Sequence, residues 1–404
     1  MEPADRRATP LRILALSHND GTEVCTFARL VTPLEALRAA GLVDYKLQTV
    51  FLSHIPRLQA LLRDLPNWDL IWVLRPHHYS LLPFIREARR LGKPVLIDID
   101  DWLLHVPEDH SDRAYFMNRP TQETIRLALQ TATAVTTSTE VIARYCAALG
   151  LQAHVVPNTV DCARYARLPR ANSVTTIGFC GSMTHRPDMS LVSSGLRDLL
   201  QRYPARVRVV SMGCPLPELE DLPGYTYHEP VAATAYAEAM SNLRLDIGLA
   251  PLHDTSFNRA KSDIKYLEYA ATGAATIASP AEPYMASVRE DRGMLVATNT
   301  PEVWSDAMER LVADAPLRHR LAEEAYAWVC RERSTTAAVE HYYSLFLHYI
   351  QGEAAVHAHM YRSADAERFD HTMTDIVMRQ LPTDAMRVFA GLTQQALARV
   401  VGQT

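Results

Sequence analysis

The sequence predicts an α/β protein of two units that face each other across a cleft, each a parallel sheet covered by helices on both faces. Three observations carry this. Short apolar runs of strand length alternate with longer amphipathic segments, the pattern that gives parallel sheets. The alternation lapses near residue 170 and then restarts. A chain of 404 residues with 48% hydrophobic side chains also holds more material than one core ordinarily organises.

In the first half, LRILALS (11–17) is a buried-strand signal followed by the polar turn HNDGTE. TFARLVTPLEALRAAG has apolar residues at helical spacing and stops at Gly41. YKLQTVFL (45–52) and WDLIWVLRP (68–76) read as strands, the latter closed by proline. LLPFIREARRLGKP is a helix stopped at Gly92, and PVLIDIDD (94–101) is a strand. After an irregular acidic stretch, TQETIRLALQTATAVTTST (121–139) is a helix running into a short strand. STEVIARYCAALG is a capped helix, and HVVPN closes the half.

The second half opens on the strand TTIGFCGS and continues through the helix MSLVSSGLRDLLQRYP and the strand VRVVSMG. TAYAEAMSNL is a helix, LDIGLAPL a strand, IKYLEYAATG a helix, and AATIAS and GMLVAT strands. PEVWSDAMERLVAD and PLRHRLAEEAYAWVCR are helices. The expected division is 1–170, 171–345 and a polar, helical tail over 346–404.

Net charge is −5 with both signs interspersed, which excludes the clustered basic face of a nucleic-acid binder. The six cysteines (25, 146, 162, 180, 214, 330) show no paired spacing and read as free thiols of a reducing compartment. No apolar run reaches the length of a membrane span, so a soluble cytoplasmic protein is expected, with room for peripheral contact with a membrane or for homo-oligomers. GxGxxG is absent, which removes the main cue for a dinucleotide-dependent oxidoreductase.

In open parallel sheets, ligands bind beyond the carboxyl ends of the strands, so the loops there carry the candidates. In HNDGTE, Gly21 allows close backbone approach, Thr22 stands beside it, and the helix that follows offers free N–H groups to an anion or a sugar, although an ordinary turn explains the stretch too. In GSMTHRPD (181–188), Gly181 turns the chain, Ser182 and Thr184 can donate hydrogen bonds, His185 is either a contact or a turn residue, and Arg186 is a phosphate-type donor. In FNRAKSDIKYLEYAATG, Arg259, Lys261 and Lys265 surround a helix start at which Ser262 or Asp263 serves as cap, with Glu268 deeper along the helix. Such a start holds a phosphate through N–H groups, dipole and cations, and a carboxylate there suits the two hydroxyls of a ribose. A surface Lys265–Glu268 pair explains those two residues equally, but leaves Arg259 and Lys261 without a role. DIDDW (98–102) offers Asp100 and Asp101 to an acceptor hydroxyl, as a base, as a helix cap, or with Asp98 to a metal. RPHHY (75–79) offers His77 or His78 as an acid or base, or as a structural pair.

Three stretches, IGFCGSMTHRPDM, LDIGLAPLHDTSFNRAKSDIKYLEYAATGAATIASP and RGMLV, resemble bacterial glycosyltransferases of the family-4 type (group 1). The resemblance spans most of residues 11–350 and is most specific in T-H-x-x-D and F-N-x-x-K-S-x-x-K. It implies the GT-B fold, two Rossmann-like α/β/α domains facing a cleft with extra C-terminal helices. It also implies transfer of a sugar from a nucleoside-diphosphate sugar to a glycan, lipid-linked, protein or small-molecule acceptor, with retention and with neither cofactor nor metal. The setting it suggests is bacterial surface or secondary glycan assembly. Donor contacts would come from Gly181, Ser182, His185, Arg186, Arg259, Lys261, Ser262, Asp263, Lys265 and Glu268. Acceptor-side contacts would come from Gly21, Thr22, His77 and Asp101, with Lys261, Arg186 and Asp100 in catalysis. Glu268 matches the second glutamate of the family's E-x7-E motif, but the first position is Ala260. Ser182 stands where an arginine is common, and Asp100-Asp101 replaces a usual His-Asp. The Ala260 departure supports an alternative, a non-catalytic nucleotide-sugar-binding or scaffold subunit of the same fold. A phosphorylase or epimerase on that fold is a third reading.

Overall fold

In a computed structural model, the described residues are 9–50, 55–170 and 173–356, with 368–369, 371–373 and 375–376. They form two six-stranded, all-parallel sheets. The first holds β1 (Leu11–Ser17), β2 (Val43–Thr49), β3 (Leu70–Leu74), β4 (Val95–Ile99), β5 (Ala134–Thr137) and β6 (Ala153–Val155), in the order β2-β1-β3-β4-β5-β6. The second holds β7 (Thr175–Cys180), β8 (Val207–Met212), β9 (Tyr225–His228), β10 (Ile247–Ala250), β11 (Ala275–Ala278) and β12 (Met294–Leu295), in the order β12-β11-β10-β7-β8-β9. Strand order reverses between β1 and β3 in one sheet and between β7 and β10 in the other, which opens a crevice at the carboxyl end of each pair.

Central strands buried on both faces explain the unbroken apolar runs: β3, β4 and β10 are buried at every residue. The edge strand β9 has no such run. Its residues alternate between half-buried and exposed, so the sequence pattern passes over it. Helices close both faces of each sheet. The expected first helix continues from Val24 to Ala39 through a π turn at Phe27–Val31, which turns Arg29 into the core. There the Arg29 guanidinium grips both oxygens of Asp98 on β4, at 2.8 and 2.7 Å, and donates to the Val156 carbonyl and to Asn158 Oδ1. Asp98 is therefore a structural partner rather than a member of an acidic metal site. Among the described residues no group of three or more His, Cys, Asp or Glu is placed to hold a metal ion.

The chain crosses between the units twice, side by side. Residues 156–165 lead out, and the return runs through Arg333 and Ser334, where Val160 and Ser334 form a parallel bridge. The helix Thr335–Val356 then packs on the first sheet, with Tyr342 and Phe346 against Trp72. The return to the first unit thus begins at Thr335, earlier than the boundary at 345 read from the sequence. Most of the expected tail lies outside the described residues. Cys162, on the outward crossing, and Cys330, in the helix Ala315–Glu332 that precedes the return, are joined as a disulfide across 168 residues of sequence. This corrects the expectation of six free thiols: no local spacing reveals a pair brought together by tertiary structure. No described helix is long and apolar enough to cross a membrane.

Candidate functional site

The helix Ile264–Thr272 follows the carboxyl end of β10 and is buried on most of its faces. It ends at Gly273, whose φ of 76° suits the left-handed cap that only glycine adopts without strain. Tyr269 locks the helix to the sheet: its hydroxyl donates to the Leu249 carbonyl and accepts from Cys180 N–H. This fixes the helix start opposite the turn after β7. A Cβ on Gly181 would lie 2.5 Å from Lys265 Nζ and 2.8 Å from Phe179 Cζ, so the close approach of the two loops requires glycine there.

Between this corner and the ends of β1, β3 and β4 lies a cleft of about 740 Å³. Its second-unit wall includes Gly181, Ser182, His185, Lys261, Ser262, Lys265 and Glu268, and its first-unit wall includes Thr22, Arg75, His77, Asp100, Asp101 and Tyr115. Eleven of the residues singled out from the sequence therefore meet in one cavity.

The charges in it are mutually tuned. Lys265 is buried, donates to the Cys180 carbonyl at 2.7 Å and lies over the Phe179 ring. Burial pulls its ammonium below the ordinary lysine value. Burial also pushes the Glu268 carboxyl up to about 7, against the opposing pull of the Lys265 charge and a hydrogen bond from the Tyr236 hydroxyl at 3.2 Å. Across the cleft, the Arg75 guanidinium holds Asp100, and Asp101 at 2.7 Å. Burial raises the Asp100 carboxyl, but the Arg75 charge and hydrogen bond bring it below its ordinary value. Lys261 Nζ bridges the units, 3.9 Å from Asp101 Oδ1. His77 stays neutral, pushed down to about 3 by burial and then by the nearby His18 and Arg75 charges, with Nδ1 2.9 Å from the Tyr115 hydroxyl. It therefore cannot serve as a charged acid at neutral pH.

Four expected site residues stand outside the cleft wall. Arg186 turns to Glu218, which neutralises it. Arg259 is exposed and forks onto Asp254. Asp263 occupies the cap position of the helix Ile264–Thr272, but its carboxylate makes no cap bond there. It grips the Arg333 guanidinium at 2.7 and 2.9 Å and the Ser287 hydroxyl at 2.5 Å, which ties the helix start to the returning chain. Gly21 sits behind the wall, facing Leu47 and Val31. Ser262 is not the cap either; its hydroxyl accepts from Asn158 Nδ2 at 2.7 Å. Ala260 is fully buried against the first unit's core, and its carbonyl accepts from the Thr139 hydroxyl. A glutamate there would be driven into apolar packing, which accounts physically for the small residue.

Sequence reasoning missed Arg75, Tyr236 and Asn158. The signal for Arg75 is conformational: its φ of 42° puts a non-glycine residue in left-handed backbone just after β3, a strained placement of the kind found at working sites. Asn158 links Arg29 to Ser262 across the crossing and has no motif of its own.

Residues 6–159 match the family model described as Glycosyl transferase 4-like domain. No curated protein sequence matches the chain. Among solved structures, Alr3699/HepE of Anabaena in complex with UDP-glucose aligns with a TM-score of 0.60 at 13% identity, over 83% of this chain and 99% of that one. Sucrose-phosphate synthase of Thermosynechococcus elongatus aligns with a TM-score of 0.62 at 14% identity, over 85% and 100%. A UDP-forming trehalose-phosphate synthase of Burkholderia xenovorans aligns with a TM-score of 0.56 at 15% identity, over 86% and 100%. The first unit is thus similar to a glycosyl transferase 4-like domain, and the chain as a whole shares the two-sheet GT-B architecture of these solved structures.

Proposed function

We propose that this glycosyltransferase moves a sugar from a nucleoside-diphosphate donor to an acceptor hydroxyl, with retention and without a resident metal or cofactor, in bacterial surface or secondary glycan assembly at the cytoplasmic side of the membrane. The observation that carries the reading is the corner formed by Gly181, Lys261, Lys265 and Glu268 at the reversal point between β7 and β10. A diphosphate placed there meets Lys261 and the free N–H groups of the helix start, while Glu268 reaches the ribose hydroxyls. Solved relatives in fold carry UDP and UDP-glucose in their complexes, which makes uridine the first base to try.

The chemistry follows from charge. As the bond between the anomeric carbon and the phosphate oxygen breaks, negative charge grows on the diphosphate, and Lys261 with the helix N–H groups stabilises it. The acceptor oxygen approaches from the same face, and the departing phosphate oxygen takes its proton. Thr22, Asp101 and the neutral His77 on the first-unit wall orient that hydroxyl. Asp100, held ionised by Arg75, keeps this wall negative. With the first unit on the acceptor side and the second on the donor side, approach of the units excludes water and protects the donor from hydrolysis.

A non-catalytic nucleotide-sugar-binding role is the second reading, favoured only by Ala260. A thermal-shift panel of UDP-, GDP-, dTDP- and ADP-sugars, followed by assay of nucleoside-diphosphate release, tests both. One donor should raise the melting temperature and be turned over with an acceptor. Binding without release on any acceptor would favour the scaffold, and no shift with any donor would contradict the proposal.

A further inference from the structure

Behind one wall of the cleft lies a buried carboxylate that the diphosphate corner does not use. Asp188 is 3% exposed. Its Oδ1 accepts the His253 N–H at 2.8 Å and the Asn258 Nδ2–H at 3.0 Å, and its Oδ2 lies 3.1 Å from His185 Nδ1. A carboxylate already accepting two N–H groups accepts a third, so the proton of this contact belongs on Nδ1. His185 itself lines the cleft beside Ser182, Lys261 and Lys265. Burial, and then the two lysine charges, hold its ring well below the ordinary histidine value, so it is neutral. Among the described residues the ring makes no other hydrogen bond.

A neutral imidazole with Nδ1–H spent on Asp188 has one capability left, the lone pair on Nε2. That lone pair repels phosphate oxygens, which carry no proton, and it can only take a donor such as a hydroxyl. A nucleotide sugar seated with its diphosphate at Lys261 offers such hydroxyls on the transferred sugar. We propose that His185 is a specificity-determining residue for the donor sugar, its Nε2 accepting a hydrogen bond from one sugar hydroxyl, and that Asp188 is the positioning residue that fixes the tautomer. Asn258 lies on the short helix Ser256–Ala260 that leads to Lys261 and donates to Oδ1, the oxygen that Asp188→Asn keeps, so the variant changes the His185 side of the carboxylate alone. This inference rests on the nucleotide-sugar reading above.

The test is equilibrium binding of the donor, of analogues with each sugar hydroxyl in turn replaced by hydrogen, and of the nucleoside diphosphate alone. The proteins are the wild type, His185→Ala, His185→Gln and Asp188→Asn. All four should bind the nucleoside diphosphate alike. One deoxy analogue should bind the wild type about tenfold more weakly than the parent, the order of one hydrogen bond to a neutral group. His185→Ala should not distinguish that analogue from the parent, whereas His185→Gln, whose amide oxygen also accepts, should regain part of the difference. In Asp188→Asn the amide donates to Nδ1 and moves the proton to Nε2, so the same discrimination should vanish although the imidazole remains. Equal weakening of nucleoside diphosphate and donor by His185→Ala, or undiminished discrimination at every hydroxyl in both His185→Ala and Asp188→Asn, would overturn the proposal. A wild type that binds no nucleotide sugar and no nucleoside diphosphate would overturn the underlying reading first, and is seen before any variant is made.

Discussion

Replacing Glu268 by glutamine should stabilise the ligand-free protein while impairing it. Burial moves the Glu268 carboxyl from an ordinary value near 4.5 to about 7. At about 1.4 kcal/mol per pH unit, that corresponds to roughly 3 kcal/mol between the protonation states. The side chain opens on the cleft, where water screens it, so roughly 1–3 kcal/mol is the working range. The attraction to Lys265 is already contained in where the carboxyl titrates. Its folded value is raised, so the site's contribution to stability is full below pH 4.5 and is lost as pH rises through about 7. Glutamine does not ionise and avoids this loss. Calorimetric melting of wild type and Glu268→Gln should therefore agree near pH 5 and diverge at pH 8, with the variant higher by about 1–4 °C for a chain of this size. Donor affinity should fall in the same variant, because glutamine offers the ribose one acceptor oxygen in place of two. A melting difference that does not change between pH 5 and pH 8 would refute the account of Glu268 as a carboxylate ionised against its surroundings for binding.

Other variants test other parts. Lys261→Ala should lower turnover about 100-fold with little change in melting temperature if, as proposed, its ammonium stabilises charge on the leaving diphosphate; steady-state kinetics beside melting curves separate the two effects. Gly181→Ala should weaken donor binding and cost about 1–3 kcal/mol of stability, because its Cβ would meet Lys265 and Phe179. Asp98→Ala should destabilise the protein by about 3–5 kcal/mol by leaving the Arg29 guanidinium buried and unpaired, as denaturant unfolding would register. Transfer should persist in EDTA; loss of activity restored by a divalent cation would contradict metal-independent transfer.

The sequence made the strands legible wherever burial on both faces forces a continuous apolar run, as in LIWVL and IGLA, and left β9 unseen because an edge strand needs no such run. Placement of Gly181, Ser182, Lys261, Lys265 and Glu268 in one cleft was legible because all sit in loops or first helical turns after strand ends. Partner choice was not. Arg186 and Arg259 look like phosphate donors until Glu218 and Asp254 are placed beside them, and Asp263 looks like a cap until Arg333 arrives from 70 residues away. The Cys162–Cys330 pair and the Arg29–Asp98 pair are likewise products of tertiary proximity. A residue type states what a side chain can do; only its neighbours state whether that capacity is already used.

The central claim is that a nucleoside-diphosphate sugar binds in the corner between Gly181 and the helix Ile264–Thr272. A crystal structure with bound UDP, or with whichever nucleoside diphosphate the thermal panel selects, tests it most directly. The account predicts phosphate oxygens within hydrogen-bonding distance of Lys261 and the first N–H groups of that helix, with the ribose hydroxyls on Glu268. A nucleotide bound instead at the first-unit loop 18–23, with the Lys261–Glu268 corner unoccupied, would contradict it.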